Sequence, residues 1–102
     1  MGVLVADTKN FINGLALSNF VISIRGVFTF QKMRTCDENQ TTYYQIDYSC
    51  YYYASEAAYE AGARDIWYDV KTLKITEAQI TGDLFALIYE DIESNYQNTS
   101  QI

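Results

Sequence analysis

The sequence predicts one α+β domain: a small, mainly antiparallel sheet of three or four strands, a short connecting helix, and a C-terminal amphipathic helix packed on the sheet. Three observations predict it. Residues 19–34 and 42–54 alternate with a period of two, as strands do. A Ser-Glu-Ala-Ala run closed by Gly62 then marks a short helix. Leu84, Phe85, Ile88, Tyr89 and Ile92 repeat at helical spacing. A chain of 102 residues fits one domain, with 49% hydrophobic and 16% aromatic residues to build a modest core. The expected division is residues 1–18 as an N-terminal arm or short helix, 19–94 as the domain, and 95–102 as a flexible tail.

The elements follow in order. Asp7 can cap a short helix through "TKNFINGLAL", though Gly14 weakens the period and an arm suits the segment equally. From Asn19 to Arg34, Phe20, Ile22, Ile24, Phe28 and Phe30 share even parity. A hairpin turning at Arg25-Gly26 would mix apolar and polar residues on one face. One long strand through Gly26, bent or bulged there, keeps all five on one side. "TCDENQTT" is turn-rich, and a second strand runs from about Thr42 to Ala54. Its even face is Tyr44, Ile46, Tyr48, Cys50, Tyr52 and Ala54; its odd face is Tyr43, Gln45, Asp47, Ser49, Tyr51 and Tyr53. Ser55 is a helix N-cap, and Gly62 stands where a left-handed C-terminal cap belongs. "DIWYDV" resumes strand character with Ile66, Tyr68 and Val70 on one face. Parity then slips near Thr72 to Leu73 and Ile75, implying a bulge. Thr81 or Asp83 caps the last helix, and "SNYQNTSQI" reads as a frayed end.

Charge and composition exclude several functions. The formal charge is −6, and all seven bases lie at or before Lys74, with Glu77, Asp83, Glu90, Asp91 and Glu93 following. That balance argues against nucleic acid as a partner. Arg25, Lys32 and Arg34 form the one basic concentration, read either as solvated strand ends or as a docking patch for an acidic neighbour. "LALSNFVISIRGVFTF" is broken by Asn19, Arg25 and Gly26, short of the roughly 20 apolar residues that cross a bilayer, so no membrane is expected. "MGVLVADTKN" has no basic n-region, so no secretory signal is expected. The last helical turn carries Glu90, Asp91 and Glu93, the unfavourable sign for the helix dipole. Partner contact or solubility would account for them.

Chemistry is equally restricted. The chain has no histidine, which removes the commonest general base, the Ser-His-Asp and Cys-His arrangements, and most zinc sites. It has no phosphate-cradling glycine motif, and "DENQ" lacks the length and glycine of a calcium loop. No catalytic residue, cofactor or metal is expected, and the protein reads as a non-enzyme. Cys36 falls in the turn, and Cys50 lies roughly eight residues further along the strand, about 26 Å away. A disulfide needs Cα atoms within about 7 Å, so both thiols are expected reduced.

Seven of ten tyrosines fall between Tyr43 and Gly62. Tyr43, Tyr51 and Tyr53, with Trp67, make an amphipathic aromatic set. It suits either cross-strand packing under a helix or a protein–protein interface, where Tyr and Trp are enriched. The candidate interface residues are Tyr43, Tyr51, Tyr53, Trp67, Arg25 and Arg34.

At "YYYASEAAYEAGARDIWYDV" the chain resembles small virion proteins of tailed bacteriophages. Tyr53, Ala54, Ser55, Ala58, Gly62 and Ile66 carry the likeness, together with the helix from Asp83. The resemblance implies a structural role in the tail, baseplate, neck or fibre attachment. It further implies a homo-oligomer in contact with identical subunits and other virion proteins, made in the host cytoplasm and located in the virion. A small acidic phage-encoded inhibitor or adaptor that binds a host protein is the alternative reading.

Overall fold

The computed structural model describes residues 2–11, 14–25, 28–80 and 83–102. In chain order its elements are β1 (Val3–Val5), β2 (Lys9–Asn10), β3 (Ala16–Leu17), β4 (Phe20–Ser23), β5 (Phe28–Arg34), β6 (Thr42–Tyr53), α1 (Glu56–Glu60), β7 (Trp67–Ile75), a single 3-10 turn at Glu77–Gln79, α2 (Leu84–Ser94) and β8 (Thr99–Gln101). The small, mostly antiparallel α+β architecture is as expected, but the main sheet has six strands among the described residues, not three or four.

β6 organises the sheet. β7 runs antiparallel along one side, from Tyr44–Ile75 to Tyr52–Trp67. The other side is shared by β5, opposite Thr42 to Tyr48, and β4, opposite Tyr51 to Tyr53. β4 continues outward to β1 and then β8, all antiparallel. The sheet is therefore wide at the Tyr53 end and a narrow three-stranded ribbon at the Thr42 end. The overall dimensions are 48 × 28 × 24 Å.

The long strand expected over 19–34 is two strands on a common line. Ser23 faces Tyr51 and Phe28 faces Tyr48, so the register advances by two residues between them. An even shift keeps parity, so Phe28 and Phe30, opposite Tyr48 and Ile46, share the face of Ile22, opposite Tyr52. The break is at Arg25, which takes a left-handed φ of +53°; the bend expected at Gly26 lies outside the described residues.

Both chain ends correct the expectation. The described residues of 1–18 form neither an arm nor a helix capped by Asp7 but the strands β1, β2 and β3. The Val-Leu-Val run is β-branched at both ends, and Val3 and Val5 are fully buried between β4 and β8. Gly2 fits closely here: a Cβ would stand 3.1 Å from Val21 Cγ1 and 3.4 Å from Tyr59 Cζ. Residues 95–102 are not frayed. Tyr96 meets Phe20 edge to face at 5.9 Å. The Asp7 carboxylate accepts from the Gln97 and Asn98 amides and from Asn98 Nδ2.

The expected slip near Thr72 is absent. β7 pairs with β6 continuously, with Trp67, Asp69, Lys71, Leu73 and Ile75 on the face that carries Tyr48 and Tyr52. Tyr68 and Val70 therefore point the other way. Ile66 precedes the strand, its N–H donating to the Tyr52 carbonyl at 2.8 Å. Ile66 therefore lies outside the strand and does not share a face with Tyr68 and Val70 as the alternation predicts.

α2 lies on the even face of β6. Ile88, Tyr89 and Ile92 join Ile46, Tyr48, Cys50, Tyr52, Phe20 and Ile22 in one apolar cluster. Phe85 meets Phe28 edge to face at 5.1 Å. Asp83 caps the helix, accepting from Phe85 N–H. The hairpin of β2 and β3 adds Phe11, packed edge to face on Phe20 and Tyr52. On the opposite face, α1 covers only the wide end. Ser55 caps it by accepting from Ala58 N–H, and Gly62 follows at φ +75°, the left-handed conformation that glycine adopts without penalty.

Candidate functional site

Alternation in β6 sends odd residues to the face away from α2, and only part of that face is covered. Tyr53 is buried beneath Tyr59 of α1, ring centroids 5.1 Å apart. Two residues earlier, Tyr51 stacks with Tyr68 at 6.1 Å. The Arg25 guanidinium carbon stands 3.7 Å from the Tyr51 ring centroid. Arg25 is fixed from two further sides: its Nε donates to the Tyr53 hydroxyl at 3.0 Å, and Nη2 pairs with Asp65 at 2.5 Å. A planar guanidinium stacked on one ring and bonded to a second is held in a single geometry.

Beyond Tyr51 the face is open. Tyr68 is 59% exposed and Val70 64%, large values for an aromatic and a β-branched residue in a sheet. The middle of the ribbon is polar: Asp47 accepts from Thr72 Oγ1 at 2.7 Å and from Gln45 Nε2. These bonds, Thr72's first, hold the Asp47 carboxyl below its ordinary pKa. At the far end Tyr43 is half-buried opposite Met33, with Lys74 Nζ 5.5 Å from its ring. Arg34 is exposed opposite Thr42.

The six candidate residues therefore divide. Arg25, Tyr51 and Tyr53 come together, with Tyr53 enclosed within the subunit. Tyr43 and Arg34 lie about 26 Å or more along β6, at roughly 3.3 Å per residue. Trp67 is not on this face: it lies opposite Tyr52 and packs against the core. Tyr68 and Val70 were missed as outward residues. The available signal was the odd-parity set Trp67, Leu73 and Ile75, which needs no slip if Asp69 and Lys71 are accepted on the same face.

Those two polar residues are tolerable there because the even face has its own polar seam. Tyr48 donates to Asp91 at 2.5 Å, and Tyr52 donates to Asp69 at 3.1 Å. Asp91 thus has an internal use, which its place in an acidic last turn had not suggested. Burial, then the Asp91 contact, raises the Tyr48 phenol; burial above all raises that of Tyr52. A cavity of about 210 Å³ lies beside them, with Lys9, Lys71, Asn95 and Cys50 in its wall. Burial pushes the Cys50 thiol up to about 12, so it is a protonated core group and not a nucleophile. Cys36 is free and exposed in the turn. Among the described residues, no three of His, Cys, Asp or Glu converge to hold a metal, and no helix is long and apolar enough to cross a membrane.

Comparison with family models, curated protein sequences and solved structures finds no match.

Proposed function

We propose that this chain is a non-enzymatic structural protein whose work is protein–protein assembly, in copies that contact each other and neighbouring components. The observation that carries the reading is the uncovered sheet face, where Tyr51, Tyr68 and Val70 stand beside an immobilised Arg25. Aromatic residues with arginine at a rigid sheet surface are the usual anchors of a protein interface, because little side-chain entropy is lost on contact. The setting we propose is a tailed-bacteriophage virion, in its tail, baseplate, neck or fibre attachment; the likeness at Tyr51–Val70 supports it.

Sedimentation tests the reading. A tagged copy expressed during particle production should co-sediment with assembled particles, and a Tyr68→Ser/Val70→Ser variant should do so at least tenfold less. A soluble wild-type monomer absent from every particle fraction would sink the virion role. It would favour the acidic host-protein inhibitor.

A further inference from the structure

We infer that two copies of this chain join edge to edge through β7, antiparallel about a two-fold axis at Val70, so that one sheet runs through both. The inference rests on the assembly reading and names its first partner as a second copy. Among the described residues β7 pairs with β6 alone, leaving one side of a nine-residue strand open. The Tyr52 carbonyl is turned toward β7, since it accepts from Ile66. By the alternation of an antiparallel ladder, Trp67, Asp69, Lys71 and Leu73 bond to β6, whereas Tyr68, Val70, Thr72 and Lys74 turn their N–H and C=O groups to the open side.

Register selects the axis. Residues opposite one another across the seam share a face, so each choice of centre fixes every pair. Centring on Asp69 or Lys71 sets like charges against each other. Centring on Thr72 sets Lys71 against Leu73, Asp69 against Ile75 and Val70 against Lys74. Centring on Val70 gives Val70 against Val70, then, twice each, Asp69 against Lys71, Tyr68 against Thr72, and Trp67 against Leu73. Apolar meets apolar and acid meets base at once. Within one copy Lys71 Nζ is 3.8 Å from Asp69 Oδ2, a loose contact with both side chains partly exposed, so Lys71 can turn to the second copy; Asp69 also accepts from the Tyr52 hydroxyl, and its carboxylate has lone pairs left for the second copy's Lys71. Charged residues on an edge strand ordinarily discourage pairing. Here they discourage every register above except the one centred on Val70. The joined sheet would also align the two open patches, Tyr51–Tyr68–Val70 of one copy running into those of the other.

Cysteine cross-linking in a Cys36→Ser background tests both the pairing and its register. Val70→Cys places two thiols across the axis, where the Cα atoms of a hydrogen-bonded pair are about 5.5 Å apart, and should give a covalent dimer on mild oxidation. Thr72→Cys should not, because its two copies are offset by four residues, about 13 Å. By light scattering the wild type should have twice the chain mass. Lys71→Asp, at an exposed position, should weaken the dimer about tenfold or more by facing Asp69 of the second copy, with circular dichroism checking that the monomer keeps its fold. Equal cross-linking at Thr72→Cys would overturn the register. A monomeric wild type with no cross-link at Val70→Cys would overturn the dimer. Co-sedimentation with particles would then judge the broader assembly reading separately.

Discussion

Tyr53 and Tyr51 are two residues apart on one face of one strand, and they meet opposite fates. Tyr53 is enclosed by Tyr59 of α1 and bonded by Arg25. Tyr51 shares Arg25 but opens on Tyr68, itself mostly exposed. The boundary between the covered end and the open ribbon falls between them. Alternation assigns a residue to a face; it does not say whether that face is covered. At the wide end, α1 on one side and α2 with the β2–β3 hairpin on the other make a three-layered core. Along the ribbon, among the described residues, only the α2 side is filled.

Substitutions at the covered end should be the most damaging. Ile88→Asp places a carboxylate in a site with no exposure and should cost more than about 4 kcal/mol, abolishing the cooperative thermal transition. A normal melt would break the placement of α2. Trp67→Ala should cost about 2–3 kcal/mol in chemical denaturation, because the ring packs on the core side and its loss leaves a partial cavity. A loss confined to association would return Trp67 to the open face. Tyr48→Phe removes the donor to Asp91 and should cost about 1–2 kcal/mol by the same measurement.

Acid should act locally. Asn98's side chain, then the Gln97 amide, bonds the charged form of Asp7 and lowers its pKa below the ordinary 3.8. The tether to the C-terminal segment is therefore complete above the ordinary value and is lost as the pH falls through the lower, folded one. An NMR titration of the Gln97 and Asn98 amides should report that transition in this window and nowhere above it. Val70→Thr should be the mildest change, within about 0.5 kcal/mol on monomer stability, as expected for an exposed position with similar β-propensity. A larger loss in the monomer would mean that the open face is covered by something within the subunit.

Much of the covered end was legible in the residues. The even stripe of β6 from Tyr44 to Tyr52, the Ser55 cap, the Gly62 stop and the apolar face of α2 are all local patterns and stand as expected, whereas Ala54, expected on that stripe, is exposed beyond the strand. The chain ends were not legible, because "VLV" and "TSQ" are too short to carry a period; pairing with each other and with β4 defines them. β7 misled for a related reason. Asp69 and Lys71 interrupt the inward stripe, and only the nearby Tyr52 hydroxyl shows why an acid belongs there.

The sequence by itself determined the alternating faces, the caps, the absence of an imidazole, and an aromatic content concentrated in one strand. Those follow from side-chain period and composition, which are local properties. Only the tertiary structure decided which tyrosines are enclosed, that both termini are strands, and that Tyr68 and Val70 face outward. Those depend on which distant segment arrives to cover a face, and a face left uncovered has the same local pattern as one that is buried.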